Sequence, residues 1–253
     1  MCTSEDGTYV TVSVSCGCWK QLAANGSDAY VKKMYGPMLM PTPETGYDVT
    51  IKIAVGQKME PKEADALATK ASRLSRHMMA GVFHAMFDKA AARKGDGKLV
   101  QIDYRPNESI WLKQDNDRVI VIFSIYFDDP DDIVIGRVFL TEMGKLVQGA
   151  PAVDVYLKDP PSELRGVRNL RAHGYASFLV ESRHFAPKQR DITINQLMQF
   201  RNYMHYHIKC SKAYLHIRMR ARVNLLLQVL NRAKQETKKP EPGAKRTFTR
   251  AKA

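Results

Sequence analysis

The apolar residues near the C-terminus recur with helical spacing and predict one uninterrupted helix over Asp191–Ala233. Between Ile192 and Gln235 the sequence contains no Asp, Glu, Pro or Gly, so no residue in this segment breaks a helix. At about 100° per residue, the apolar side chains fall on two stripes roughly 145° apart. The first stripe consists of Met204, Ile208, Leu215, Met219, Leu226, Leu230 and Ala233. The second consists of Tyr203, Cys210, Tyr214, Ile217, Ala221 and Leu225.

Two apolar stripes on one helix need two surfaces to cover them. Either the helix is sunk in a large single core, or one stripe covers the chain's own sheet and the other meets a partner subunit. A sunken helix would strand its Lys and Arg side chains without counter-ions, which favours the partner. The candidate residues for the partner interface are Tyr203, Cys210, Tyr214, Leu215, Ile217 and Leu225.

Upstream, the pattern alternates between strands and helices without strict β-α-β order. Period-two alternation and turn residues predict strands at Tyr9–Ser15, Tyr47–Val55, Leu99–Tyr104, Ile110–Lys113, Arg118–Tyr126, Ala152–Leu157 and Gly174–Glu181. We interpret the acidic segment Asp128–Asp132 as an exposed loop between strands that leads into Ile133–Glu142. This order predicts an α+β fold in which helices cover antiparallel sheets.

Two further helices are predicted before the meander of strands. A short helix begins near Ser27 or Asp28 and ends at Gly36. A long helix runs from Pro61 to about Ala91, with a buried stripe of Leu67, Ala71, Leu74, Met78 and Val82. Pro160 begins a polar linker that reaches Arg171.

The net positive charge of the chain is concentrated in the C-terminal helix and the residues after it. The chain carries a net charge of +13, and residues 192–253 alone hold 14 Lys and Arg against two Glu. Between Ile192 and Gln235 no Glu or Asp is available for the i,i+4 pairs that a merely solvated helix usually has. The basic residues therefore suit an anionic partner: an acidic protein surface, nucleic acid or anionic lipid. The candidates are Lys209, Lys212, Arg218, Arg220 and Arg222.

Catalytic and metal chemistry find little support in the sequence. It has no Gly-rich phosphate loop, no G-x-S-x-G and no H-E-x-x-H, so we expect no enzyme activity, cofactor or metal. His205 and His207 point about 200° apart on a helix and cannot share one ion. Cys16-Gly-Cys18 lacks the further ligands that a zinc or redox site needs. With no 18-residue apolar run, no signal peptide and no disulfide framework, we expect the cytoplasm.

The run His205–Tyr214, followed by His216, Arg218–Ala221 and Val229–Ala233, resembles the C-terminal helix of subunit 2 of the actin-related protein 2/3 complex. Val12–Ser15, Val31–Gly36, Glu44–Tyr47 and Asp128–Gly136 support the resemblance in the same order. It implies a non-catalytic subunit with two similar α/β modules, whose long helix pairs with subunit 4. It also implies contact with the side of an actin filament, from which the complex nucleates a branch.

The resemblance sets the expected domains. A first module covers residues 1–58, a second covers 59–235 and includes the long helix, and 236–253 form a disordered basic tail. Family members usually begin well upstream, so we expect the first module to be short and incomplete. The alternative function is a stand-alone basic α+β protein that binds nucleic acid. That alternative depends on charge alone, because the sequence shows no helix-turn-helix or aromatic stacking sheet.

Overall fold

The computed structural model describes residues 2–3, 8–55, 60–95, 97–143, 151–168 and 170–233. Its contacts divide the chain into two units, Met1–Lys209 and Cys210–Ala253, which are described separately. The strands are β1 Cys2–Thr3, β2 Tyr9–Val14, β3 Val49–Ala54, β4 Leu99–Arg105, β5 Glu108–Asp115, β6 Arg118–Ile125, β7 Ala152–Tyr156 and β8 Gly174–Val180. The α-helices are α1 Trp19–Leu22, α2 Asp28–Tyr35, α3 Pro61–Ser72, α4 Leu74–Ala91, α5 Pro130–Met143 and α6 Arg190–Ala233. The predicted α+β class is confirmed.

The first sheet has three antiparallel strands in the order β1-β2-β3. Strand β2 pairs along its whole length with β3, from Tyr9 opposite Ala54 to Val14 opposite Val49. The two predicted strands of this module are confirmed, and β1 adds a third because Cys2 and Thr3 pair with Thr11 and Val10. Helices α2, α3 and α4 complete its core, which contains Val31, Tyr35, Val49, Ile51, Ile53, Ala71, Leu74 and Met78.

The second sheet is antiparallel in the order β4-β5-β6-β8-β7. Its two hairpins turn at residues with positive φ, Asn107 at 63° and Asn116 at 54°. Asn tolerates this left-handed conformation better than other residues with a Cβ, which explains why the turn chemistry predicted the hairpins correctly. Strand β8 lies beside β6, with Val121 opposite Phe178.

Both faces of the second sheet are covered. Helices α4 and α6 contribute Phe83, Phe87, Leu197 and Phe200 to the large cluster on one face. On the other face, Leu164 of the predicted linker is buried among Trp111, Ile122 and Tyr175. The segment from Pro160 to Arg171 is therefore more than a polar connection, since part of it packs against the sheet.

Helix boundaries differ from the predictions at two places. The segment predicted as one helix from Pro61 to Ala91 is two helices, because Arg73 between α3 and α4 has φ −88° and ψ 3°. The short helix predicted from Ser27 begins earlier, at Trp19, and kinks at Gly26, whose φ is 106°. Helix α4 passes close to this kink because Gly81 has no side chain. A Cβ on Gly81 would lie 2.5 Å from the Cα of Ser27.

The interpretation of Asp128–Asp132 as an exposed loop between strands is wrong. Pro130 begins α5, which runs to Met143 and includes Asp131 and Asp132 in its first turn. Proline is favoured at the first position of a helix, and carboxylates near its N-terminus stabilise the helix dipole. The buried positions Asp132, Gly136 and Leu140 are four residues apart, which is helical spacing.

The domain boundary predicted near residue 58 stays a prediction. The first sheet ends before it, while helix α4 lies after it and contributes to the clusters of both sheets. The predicted tail, residues 236–253, lies outside the described residues.

Candidate functional site

The first half of α6 packs on the second sheet through one apolar stripe. Ile194, Leu197, Phe200, Met204 and Ile208 are all buried, at intervals of three or four residues. Phe200 is at the centre of this contact, with its ring centroid 5.2 Å from that of Phe123 and 4.9 Å from that of Phe178. The prediction that a stripe of this helix covers the chain's own sheet is therefore confirmed as far as Ile208.

A buried carboxylate holds the same half of α6 from its polar side. Glu108, at the start of β5, is 2% exposed and accepts a hydrogen bond from Arg201 Nε. Its other oxygen lies 3.7 Å from His205 Nε2, too far for a direct hydrogen bond. Burial would raise the pKa of Glu108, but the His205 ring and the Arg201 guanidinium outweigh it and hold that pKa below its ordinary value.

Further ion pairs join α6 to neighbouring helices. Arg190 at its start lies 2.7 Å from an Asp88 carboxylate oxygen on α4. Lys209 donates to Asp132, the buried carboxylate in the first turn of α5. Lys209 was predicted as part of the basic surface, and its ammonium group is engaged by a carboxylate of its own chain.

Exposure changes at Cys210, where the second unit begins. From Cys210 to Arg232 every side chain is exposed except Lys212, which is half-buried. Ten large apolar side chains in this described segment are between 47% and 65% exposed: Tyr214, Leu215, Ile217, Met219, Val223, Leu225, Leu226, Leu227, Val229 and Leu230. Contiguous apolar surface on a soluble protein marks an interaction site.

The two predicted stripes therefore have different environments along their length. Met204 and Ile208 of the first stripe are buried, whereas Leu215, Met219, Leu226 and Leu230 of that stripe are exposed. In the second stripe Tyr203 is 60% exposed, although it lies beside buried Met204. Beyond Lys209, α6 carries its full apolar pattern without a covering surface among the described residues.

Basic side chains lie between the stripes on both sides of the helix. At about 100° per residue, Arg220 and His216 fall in the wider arc with Lys212 at its edge. Arg218 falls in the narrower arc, and Arg222 falls at the margin of the first stripe. Arg218 Nη1 donates to the Tyr214 hydroxyl at 2.8 Å, one turn away. The exposed half of α6 is thus a mixed apolar and cationic surface without a carboxylate.

Sequence reasoning missed the two buried carboxylates that anchor α6. Asp132 had a detectable signal, since it lies four residues before Gly136 and eight before Leu140. Glu108 follows an Asn in a hairpin turn and has no such signal, because its partner is 93 residues away. Across the described residues, no group of three or more His, Cys, Asp or Glu side chains has a metal-binding arrangement. None of the helices in this part of the chain is long and apolar enough to cross a membrane.

Comparison with known proteins decides the family. Residues 12–237 match the family described as Arp2/3 complex, 34 kD subunit p34-Arc. The chain belongs to the p34-Arc family. The actin-related protein 2/3 complex subunit 2 of Dictyostelium discoideum is 41% identical over 254 residues, which cover 98% of this chain and 84% of that protein. Its counterpart in Schizosaccharomyces pombe is 36% identical over 276 residues, covering 98% and 87%.

The p34-Arc match begins inside β2, at Val12, and takes in β3 to β8 and the whole described length of α6. It confirms the resemblance noted in the sequence, and it makes this p34-Arc chain a subunit of the Arp2/3 complex. The alternative of a stand-alone nucleic-acid-binding protein receives no support from the p34-Arc family.

Proposed function

We propose that the chain is a structural, non-catalytic subunit of the Arp2/3 complex that binds the side of an actin filament and supports branch nucleation. We place it in the cytoplasm, in the actin cytoskeleton. The observation that carries the proposal is the exposed half of α6. Its apolar residues call for a covering subunit, and its cations suit an acidic filament surface.

The apolar residues form the proposed interface with a partner subunit, chiefly subunit 4. Burying one exposed Leu side chain contributes about 1.5–3 kcal/mol, so ten half-exposed apolar side chains represent a large driving force for association. Tyr203, Cys210, Tyr214, Leu215, Ile217 and Leu225 are the proposed contacts. Tyr203 lies on the anchored half of α6 and Cys210 directly follows that half, so the partner surface would begin there.

The basic residues form the proposed filament contact. They are Lys209, Lys212, Arg218, Arg220 and Arg222. Among them, Lys209 is paired with the buried Asp132 carboxylate, so part of its charge is already neutralised within the chain. Exposed cations act mainly on the rate and specificity of association with an acidic surface, and salt screens them over about 8 Å at physiological ionic strength.

Assembly is tested by Leu215→Asp in cells or extracts that contain the other subunits. Leu215 is exposed in the chain itself, so the change costs the isolated fold little. In an apolar interface it would bury an unpaired carboxylate, which costs several kcal/mol. We expect the tagged variant to fold normally, by circular dichroism, and to recover no other subunit. Recovery of the complete complex would contradict the proposed interface.

Filament binding is tested by Arg220→Glu in the assembled complex, measured by cosedimentation with actin filaments and by branch counts. Arg220 is exposed and its reversal removes no packing. Asn224→Glu is the matched control, because Asn224 lies one turn further on and adds a negative charge without removing a positive one. We expect Arg220→Glu to weaken filament binding several-fold more than Asn224→Glu. Equal binding by wild type and both variants would exclude Arg220 from the contact.

A further inference from the structure

Two thiols at the end of β2 lie within reach of each other. The Sγ atoms of Cys16 and Cys18 are 3.5 Å apart, and both thiols are free. Cys16 is half-buried between the exposed residues Ser15 and Gly17, whereas Cys18 is buried. Solvent therefore reaches the Cys16 residue in part, whereas Cys18 is buried.

Backbone hydrogen bonds on both sides hold this spacing. The Cys16 N–H donates to Asp48 Oδ2 at 2.7 Å, and the Cys16 carbonyl accepts from Trp19 N–H at 2.8 Å. The Cys18 carbonyl accepts from Leu22 N–H at 3.0 Å in the first turn of α1. No atom lies within 4 Å of where a Gly17 Cβ would be, so the residue between the thiols can adjust freely.

We propose that Cys16 and Cys18 form a reversible dithiol–disulfide couple, a redox modification site whose oxidant is a hydroperoxide. A disulfide bond is about 2.0 Å long, so sulfurs 3.5 Å apart need to approach by about 1.5 Å in total. Side-chain rotation supplies a movement of this size. The site uses none of the α6 residues assigned above to the assembly and filament surfaces.

The reaction balances with hydrogen peroxide as the oxidant. The Cys16 thiolate attacks one peroxide oxygen, an S–O bond forms, the O–O bond breaks, and the hydroxide released takes up a proton as water. The Cys18 sulfur then attacks the Cys16 sulfur. The S–S bond forms and the S–O bond breaks, and the departing hydroxide leaves as a second water with the Cys18 thiol proton. Two electrons pass from the two thiols to the peroxide.

The electrostatics assign the order of attack. The hydrogen bond from Cys18 lowers the pKa of Cys16 to about 6, against the opposing effect of burial. The same contact and burial raise the pKa of Cys18 above its ordinary value. The lowered pKa favours the thiolate, the nucleophilic form, at Cys16, which leaves Cys18 as the resolving thiol.

The experiment treats the full-length chain with hydrogen peroxide, alkylates the remaining thiols, and maps the peptide that ends at Lys20 by mass spectrometry. A Cys2→Ser background keeps the third thiol out of that peptide. We expect an unalkylated peptide that has lost two hydrogens, and full restoration of double alkylation after dithiothreitol. Cys210 is exposed and serves as the internal reference, with oxidation about tenfold slower than that of Cys16.

Two variants separate the roles of the thiols. Cys18→Ala removes the resolving sulfur, so peroxide should leave a sulfenic acid on Cys16 that a dimedone probe captures. Cys16→Ala should leave Cys18 unoxidised. The proposal fails if peroxide-treated wild type still alkylates at both positions, or if Cys16 is found linked to Cys210 of a second chain. The wild-type map decides the question even if either variant folds poorly.

Discussion

The ion pair between Glu108 and Arg201 yields an asymmetric prediction for Arg201→Leu and Glu108→Gln. The Glu108 side chain is 3% exposed, whereas the Arg201 side chain is 23% exposed. Removing Arg201 leaves the Glu108 carboxylate without its ion-pair partner at a site that water barely reaches. Removing the charge of Glu108 instead leaves a guanidinium that solvent can still hydrate. Arg201→Leu should therefore cost more stability than Glu108→Gln.

Loss of one partner from a buried ion pair costs about 3–5 kcal/mol, and the partial exposure of Arg201 places this pair near 3 kcal/mol. For a chain of this size each kcal/mol shifts Tm by about 2–4 °C, so Arg201→Leu should lower Tm by about 6–12 °C. Glu108→Gln should cost about 1 kcal/mol, the value of one hydrogen bond. The double variant, Arg201→Leu with Glu108→Gln, should be more stable than Arg201→Leu alone, because no unpaired carboxylate is left buried.

Differential scanning calorimetry and urea unfolding of wild type, both single variants and the double variant complete a double-mutant cycle. Because the native pKa of Glu108 is depressed, its stabilising contribution is full above the unfolded-state pKa, about 4.3, and is lost as pH falls through the native pKa. The difference in the free energy of unfolding between wild type and Arg201→Leu should therefore become smaller in acid. A loss under about 1 kcal/mol, or a double variant no more stable than Arg201→Leu, would refute the assigned role of the pair.

Three further predictions concern the fold and the anchor of α6. Burial, with the charges of neighbouring arginines, lowers the pKa of His77 to about 4, so its neutral form stabilises the native state. This contribution to the free energy of unfolding is present above pH about 6.5 and is lost as pH falls towards 4, by up to about 3 kcal/mol. Urea unfolding measured across this pH range should show a weaker dependence of stability on pH for His77→Gln than for wild type. Gly81→Ala should lower stability by about 1–3 kcal/mol through its close backbone contact, while Gly17→Ala, in open space, should leave Tm unchanged. Lys209→Glu should lower stability by about 1 kcal/mol by repelling its buried carboxylate partner, and Arg220→Glu should not, as thermal melts will report.

The elements that the sequence predicted well are those with local causes. Helix α6 is unbroken over its described length because no breaker occurs inside it, and the hairpins form because Asn107 and Asn116 accept positive φ. The segment that became α5 was misinterpreted because its aspartates suggested a loop, although Pro130 and the four-residue spacing after Asp132 are helical signals. The break at Arg73 has no Pro or Gly to announce it.

The candidate site was predictable as a pattern, but its division was not. Periodicity places Ile208 and Leu215 on one stripe, yet one is 1% exposed and the other 47%. Hydrophobic spacing records that a surface is covered and not which chain covers it. In the same way, Lys209 and Arg220 look alike in sequence, and only the tertiary position of Asp132 distinguishes them.

Helix α4 belongs to two cores at once, and this makes the two sheets thermodynamically dependent on each other. Leu74 and Met78 pack with the first sheet, while Phe83 and Phe87 pack with the second. Neither sheet can lose its helix without exposing the core of the other. Residues up to Lys209 should accordingly unfold in a single cooperative transition. A substitution that destabilises the small N-terminal sheet should therefore also lower the stability of the first half of α6.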